Sequence, residues 1–216
     1  MKGVFITGTD TGIGKTVVSA WLMRALDGDY WKPVQTGLDG GASDSETVRR
    51  LSEFPDERFH APLHELRAPL SPQAAARLEG VAIMLGGFSL PGSSRPVIVE
   101  GAGGVLAPLG EGLVMADLMG CLGLPVVMVA GTALGTINHS LLSLEALRSR
   151  GLEIAGVVFC GAPDAANREA VERFGEVAVI GEIPILDPLD AAAMAALGAK
   201  ERPRFPEAGY AEAGHG

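Results

Sequence analysis

One stretch near the amino terminus, Gly8-Thr9-Asp10-Thr11-Gly12-Ile13-Gly14-Lys15-Thr16, constrains this chain more than any other feature. An apolar β-type run, residues 3–7, precedes it, and a helical pattern, residues 15–26, follows. A turn in that setting aims successive backbone N–H groups at one point, and the helix adds the positive end of its dipole. Such a point binds an anion. Lys15 then reaches the β- and γ-phosphates of a nucleotide, and the Thr16 hydroxyl is a ligand for Mg²⁺. Five residues separate Gly8 from Gly14, where the usual phosphate loop has four. The strand–loop–helix setting and the Gly-Lys-Thr end outweigh that departure and define a nucleotide site.

The rest of the chain repeats the alternation of strand and helix. Short Val- and Ile-rich runs at 30–33, 97–100, 125–130, 154–159 and 177–180 are bounded by Gly, Pro or polar residues. Helical segments fall between them at 44–52, 72–78, 114–122, 137–150 and 167–174. Ser43 with Glu46 reads as a capping box, and Ser71-Pro72 as a helix start closed by Gly80. This pattern predicts an α/β fold: a single domain with a P-loop NTPase-type parallel sheet and helices on both faces. The longest irregular stretch is 53–70. From Gly198 the sequence turns to Ala, Gly, Glu and Pro, which places the domain at residues 1–198 and a loose tail at 199–216.

Composition closes off other classes. With 216 residues, 47% hydrophobic and 20% charged, the chain can bury one substantial core and is not of the disordered class. A net charge of −9 repels phosphate backbones and anionic membrane surfaces. We therefore expect no nucleic-acid partner and no membrane. The apolar run 122–130 is short and contains Pro125, and residues 1–7 are too short for a signal core. Two cysteines, Cys121 and Cys160, make no disulfide framework. These readings predict a cytoplasmic protein.

Nucleotide chemistry also needs a carboxylate near the metal, at the end of a neighbouring strand. Val97-Ile98-Val99-Glu100 supplies it, and Gly101-Ala102-Gly103-Gly104 follows at once. Lys32, in Trp31-Lys32-Pro33-Val34-Gln35-Thr36-Gly37, stands at the carboxyl end of a strand, where α/β proteins bind ligands. An edge lysine kept for solubility fits the same pattern. Asp44 opens a helix, where it also complements the helix dipole. His60 and His64 lie in the irregular stretch without further metal-type ligands, and His139 reads as structural.

Taken together, 8–16 (GTDTGIGKT), 32–37 (KPVQTG), Ser43-Asp44 and 100–104 (EGAGG) resemble the dethiobiotin synthetase family. Gly135-Thr136-Ile137-Asn138-His139 and Gly181-Glu182-Ile183-Pro184 extend the resemblance to about residue 186. It implies an ATP-dependent cyclo-ligase with Mg²⁺ as cofactor, acting on 7,8-diaminononanoate and CO₂ or bicarbonate. It implies a catalytic set of Lys15, Lys32 and Thr11, and Mg²⁺ ligands Thr16, Asp44 and Glu100. ATP would lie along Gly12, Ile13, Gly14, Lys15, Thr16 and Val17, against Glu100, Gly101, Ala102 and Gly103, with its base near Pro184, Ile185 and Leu186. Substrate would meet Thr36 and, across a homodimer interface, Gly135, Thr136, Ile137 and Asn138. Many relatives carry Asn-Asp where this chain has Cys160-Gly161, and cysteine is a weak donor and acceptor. The competing class is a P-loop switch ATPase of the partitioning or iron-protein type. Its loop carries an early lysine, where this chain has Thr9-Asp10.

Overall fold

The computed structural model describes residues 2–206. Strand β1 (Gly3–Gly8) is buried along its whole length and lies in the middle of a seven-stranded sheet. Next come α1 (Lys15–Ala25), β2 (Asp29–Trp31), β3 (Val34–Gln35), α2 (Asp44–Ser52), β4 (Phe59–His60), β5 (His64–Glu65) and α3 (Pro72–Leu78). The chain continues through β6 (Val97–Glu100), β7 (Pro108–Gly110), β8 (Leu113–Val114), α4 (Met115–Leu122) and β9 (Val126–Gly131). It closes with α5 (Thr136–Arg148), β10 (Ile154–Cys160), α6 (Ala165–Gly175), β11 (Val179–Ile183) and α7 (Ala191–Lys200).

The main sheet runs β11-β10-β9-β1-β6-β2-β4, every pairing parallel. Parallel neighbours need crossovers, and helices crossing on both faces bury both sides of each strand. Alternate side chains of one strand therefore enter different cores. Val4 and Ile6 of β1 pack with Val18, Leu22, Val48, Leu51, Met194 and Leu197, from α1, α2 and α7. Phe5 faces the opposite layer, with Ala75, Met115, Leu118 and Leu147 from α3, α4 and α5. A satellite core joins Met128, Val157 and Phe159 to Leu144 of α5 and Val171 of α6.

The predicted architecture is the observed one, with shifts at the ends of elements. The run expected at 177–180 forms a strand only from Val179, and the run at 30–33 stops at Trp31, so Lys32 stands just past the strand. The irregular stretch 53–70 contributes the edge strand β4, and its His64–Glu65 pairs with β3. The boundary drawn at 198 falls inside α7, which continues to Lys200. Beyond it the chain is docked: Trp21 Nε1 donates to the Glu201 carbonyl (2.9 Å), and the Arg204 N–H donates to the Ile180 carbonyl (2.9 Å). The remainder of the expected tail, residues 207–216, lies outside the described residues.

Candidate active site

The loop between β1 and α1 opens at the carboxyl edge of the sheet. Gly14 caps α1 with φ 99°, a left-handed conformation that favours glycine, and a Cβ there would stand 2.9 Å from Cys160 Sγ. No side chain caps α1 and no acidic residue occupies its first turn. Its first N–H groups and its dipole are thus left for an anion. Lys15 folds back over the loop, Nζ donating to the Asp10 carbonyl at 2.7 Å, and is 7% exposed. Burial and the nearby Lys32 charge lower its pKa from the ordinary lysine value.

Beside β1, strand β6 ends in Glu100 and β2 leads into Lys32, both buried. Lys32 Nζ lies 3.1 Å from Glu100 Oε1, 2.7 Å from Asp44 Oδ2, and donates to the Gly101 carbonyl at 2.8 Å. The Thr16 hydroxyl joins the same group, 3.1 Å from Asp44 Oδ1 and 3.0 Å from Glu100 Oε1. Burial alone would depress the Lys32 pKa, but the two carboxylates raise it above the ordinary value. Burial likewise opposes ionisation of Asp44, and Lys32 overrides it, holding that carboxyl below the usual range. Asp44 is itself positioned by local rules. The Ser43–Glu46 capping box is formed, and the Asp44 N–H donates to Gln35 Oε1 at 3.1 Å, tying the helix start to β3.

Thr16, Asp44 and Glu100 therefore converge as one hydroxyl and two carboxylates, all hard oxygen donors. Among the described residues no group of three or more His, Cys, Asp or Glu is arranged to hold a metal. A cation here must complete its shell with phosphate oxygens and water, which is the habit of Mg²⁺. The residues present fit that ion. His60 instead approaches Asp29 at 3.6 Å, and His64 lies tilted against Phe88.

On the other side of β1, strands β9, β10 and β11 wall a cleft of about 470 Å³. Gly12, Ile13, Gly14 and Val17 line it on the loop side, facing Thr132, Cys160, Gly161 and Ile183 through Leu186. Burial pushes the Cys160 thiol up to about 12, so the group stays neutral. The Gly161 N–H is committed to the Ile183 carbonyl at 2.9 Å.

The expected substrate residues are more dispersed. Thr11 is exposed at the mouth, its N–H on Asp10 Oδ1 at 2.7 Å, and its methyl is 4.0 Å from where a Cβ on Gly103 would stand. Thr36 is half-buried and its carbonyl accepts from Gln35 Nε2. The Thr136 hydroxyl donates to the Gly131 carbonyl and its N–H to the Ala133 carbonyl, so both hold the turn rather than face outward. Ile137 and Asn138 retain first-turn N–H groups of α5. They follow β9, across β1 from the β2 and β6 ends that carry Lys32 and Glu100. Sequence reading missed Ser19 and Tyr30, whose hydroxyls reach Glu100 Oε2 at 2.7 and 3.0 Å. Ser19 lies one helical turn beyond Lys15, which could have marked it, whereas nothing in the sequence ties the Tyr30 hydroxyl to Glu100 until β2 is set against β6.

The family model described as AAA domain matches residues 2–193. The ATP-dependent dethiobiotin synthetase of Paramagnetospirillum magneticum is 50% identical over 197 residues, covering 91% of this chain and 95% of that protein. The ATP-dependent dethiobiotin synthetase of Rhizorhabdus wittichii is 47% identical over 195 residues, covering 90% and 93%. A biotin biosynthesis bifunctional protein of Bordetella avium is 53% identical over 193 residues, and the chain spans 42% of its length. Among solved structures, a ParA family ATPase from Chlorobium tepidum aligns with TM-score 0.51 at 13% identity over 93% of each chain. A plasmid partition protein from Borrelia burgdorferi aligns with TM-score 0.52 at 12% identity over 91% and 90%. At such identities these two report the fold alone.

Proposed function

Membership of the ATP-dependent dethiobiotin synthetase family is the premise here: this chain belongs to it, and we propose that it carboxylates and cyclises 7,8-diaminononanoate through the residues gathered at the phosphate loop. The enzyme is an ATP-dependent cyclo-ligase of biotin synthesis. An amine of the diamine adds to CO₂, forming an N–C bond and losing a proton, which gives a carbamate. A carbamate oxygen attacks the γ-phosphorus of ATP, and ADP departs, leaving a carbamic–phosphoric anhydride. The second amine attacks the carbonyl carbon and loses a proton, the C–O bond to phosphate breaks, phosphate leaves, and the cyclic urea closes.

The protein's task in each step is to position partners and offset charge. Two anions, carbamate and γ-phosphate, must approach each other. Lys15 and Lys32 supply two cations beside them, and an opposing unit charge at 4 Å is worth about 4 kcal/mol at an effective dielectric near 20. The observation that carries this reading is the Lys32 ammonium tied to Asp44 and Glu100 and thence, through Thr16, to the phosphate loop. Mg²⁺, bound by Thr16, Asp44 and Glu100, would neutralise phosphate charge. Thr11 and Thr36 would hydrogen-bond the diamine. The apolar cleft by Cys160 and residues 184–186 would take the base, held by contact more than by side-chain hydrogen bonds.

We take the enzyme to act in the cytoplasm as a homodimer. The first turn of α5 lies across β1 from its own Lys32, which supports a substrate carboxylate bound by Ile137 and Asn138 N–H groups of a second copy. The test is phosphate release from MgATP with diamine and bicarbonate each omitted in turn. Release that requires both, with a cyclic urea of the right mass, is expected. Release indifferent to both would replace the ligase with a switch ATPase.

A further inference from the structure

We propose that Tyr30, assisted by Ser19, is a positioning residue that fixes the orientation of the Glu100 carboxylate, so that one oxygen faces the phosphate loop. The proposal rests on the reading of Glu100 as a magnesium ligand. Glu100 is 1% exposed, and its two oxygens have separate surroundings. Oε1 meets the Thr16 hydroxyl and the Lys32 ammonium, at 3.0 and 3.1 Å. Oε2 meets two uncharged hydroxyls, Ser19 at 2.7 Å and Tyr30 at 3.0 Å. The terminal torsion of a glutamate is soft and two-fold, so nothing intrinsic prevents the carboxylate from turning. Two donors converging on one oxygen hold the carboxylate plane and aim the other oxygen at the loop.

The two hydroxyls are not equivalent. Ser19 also lies 2.9 Å from the Lys15 carbonyl, so its single proton has two acceptors. Tyr30 has Glu100 as its hydrogen-bond acceptor and is fully buried, its ring tilted against Phe59 at 6.0 Å. For packing alone a phenylalanine would fill that volume without bringing a hydroxyl that needs a partner. The register adds direction: β2 pairs with β6, Tyr30 opposite Ile98, and Lys32, just past the end of β2, reaches the same carboxylate. β2 and the residue that follows it thus address both oxygens of Glu100, with a phenol on Oε2 and an ammonium on Oε1.

Mg²⁺ tolerates little departure from octahedral geometry at short distances, and outer partners of a ligand typically set affinity by about 10- to 100-fold. The experiment uses Tyr30→Phe and Ser19→Ala in the full chain. Mn²⁺ is the metal probe, and its free form is followed by electron paramagnetic resonance with a non-hydrolysable ATP analogue present. Tyr30→Phe is expected to weaken nucleotide-dependent Mn²⁺ binding by about tenfold or more, while metal-free binding of the analogue stays unchanged. The Mg²⁺ concentration giving half-maximal turnover should rise by a similar factor, and excess Mg²⁺ should restore most of the turnover. Ser19→Ala should shift both in the same direction, and it carries the test should Tyr30→Phe fail to fold. Unchanged Mn²⁺ affinity and Mg²⁺ activation in a folded variant would reduce Tyr30 to a core residue and overturn the proposal. Absence of nucleotide-dependent Mn²⁺ binding in the unaltered protein would remove the magnesium reading of Glu100, and the proposal with it.

Discussion

Lys32 is surrounded by three oxygens, from Asp44, Glu100 and the Gly101 carbonyl, and exposes 2% of its surface. A cation so placed serves two ends. It keeps two acids together that would otherwise repel, and it stands beside the loop that would hold the γ-phosphate. Lys32→Ala should lower kcat/KM by about 10²- to 10³-fold, the range for losing one preorganised charge-stabilising donor. It also strips the partner from the buried Glu100 carboxylate, a loss of up to about 3–5 kcal/mol, so circular dichroism must accompany the kinetics. A folded variant with near-normal diamine-dependent turnover would take Lys32 out of the mechanism. Cys160 illustrates the opposite case, a position where the side chain offers little. Its thiol is neutral, packed against the Gly14 backbone, and a weak hydrogen-bonding group. Cys160→Asn brings an amide that can both donate and accept toward a base in that cleft. Competition between ATP, CTP and GTP should then tilt toward ATP, and unchanged relative affinities would mean that the base is read elsewhere.

Close approach of elements is set by single residues as well. β11 comes so near α1 that a Cβ on Gly181 would lie 2.4 Å from Trp21 Cη2. Trp21 is almost wholly buried and reaches on to the Glu201 carbonyl. Gly181→Ala therefore overpacks the layer of α1 and α7, at about 1–3 kcal/mol. A melting temperature lower by about 2–10 °C is expected, and an unchanged one would show that the indole moves aside freely. The same geometry explains what sequence could and could not reveal. β1, β6, β9 and β10 are legible because both faces are buried and the residues are nearly all apolar. The capping box of α2 announces itself in Ser43 and Glu46. α7 does not, because Ala191–Lys200 reads as Ala-rich composition, with only Met194 and Leu197 marking its buried side. The two-residue ladders β3–β5 and β7–β8 are too short to carry a period. At the site, Lys15, Lys32, Asp44 and Glu100 were readable as charges at the ends of elements. Tyr30 was not, since its hydroxyl has meaning only once β2 is known to lie against β6.

Across the whole molecule the phosphate loop divides the carboxyl edge into two territories. Lys32, Asp44 and Glu100 occupy the side of β6 and β2; the apolar cleft and the start of α5 occupy the side of β9, β10 and β11. A substrate with amines at one end and a carboxylate at the other needs a cation or N–H group at each end, and in one copy the two candidates lie on opposite sides of β1. In the homodimer proposed above, two copies related by a two-fold axis would meet them together, each lending its α5 start to its partner's lysines. The consequence is measurable by mixing variants. Lys32→Ala disables the reacting end, and Asn138→Glu places a like charge where the substrate carboxylate would bind. Asn138 is exposed in the first turn of α5, where an acid suits the helix dipole, so the fold should survive. Each variant alone should be nearly inactive. After unfolding and refolding together, half of the dimers would be mixed and each would hold one intact site. Recovery to about a quarter of normal turnover is then expected. If each site is built from one chain only, every site in the mixture still carries one of the two changes, and no recovery follows.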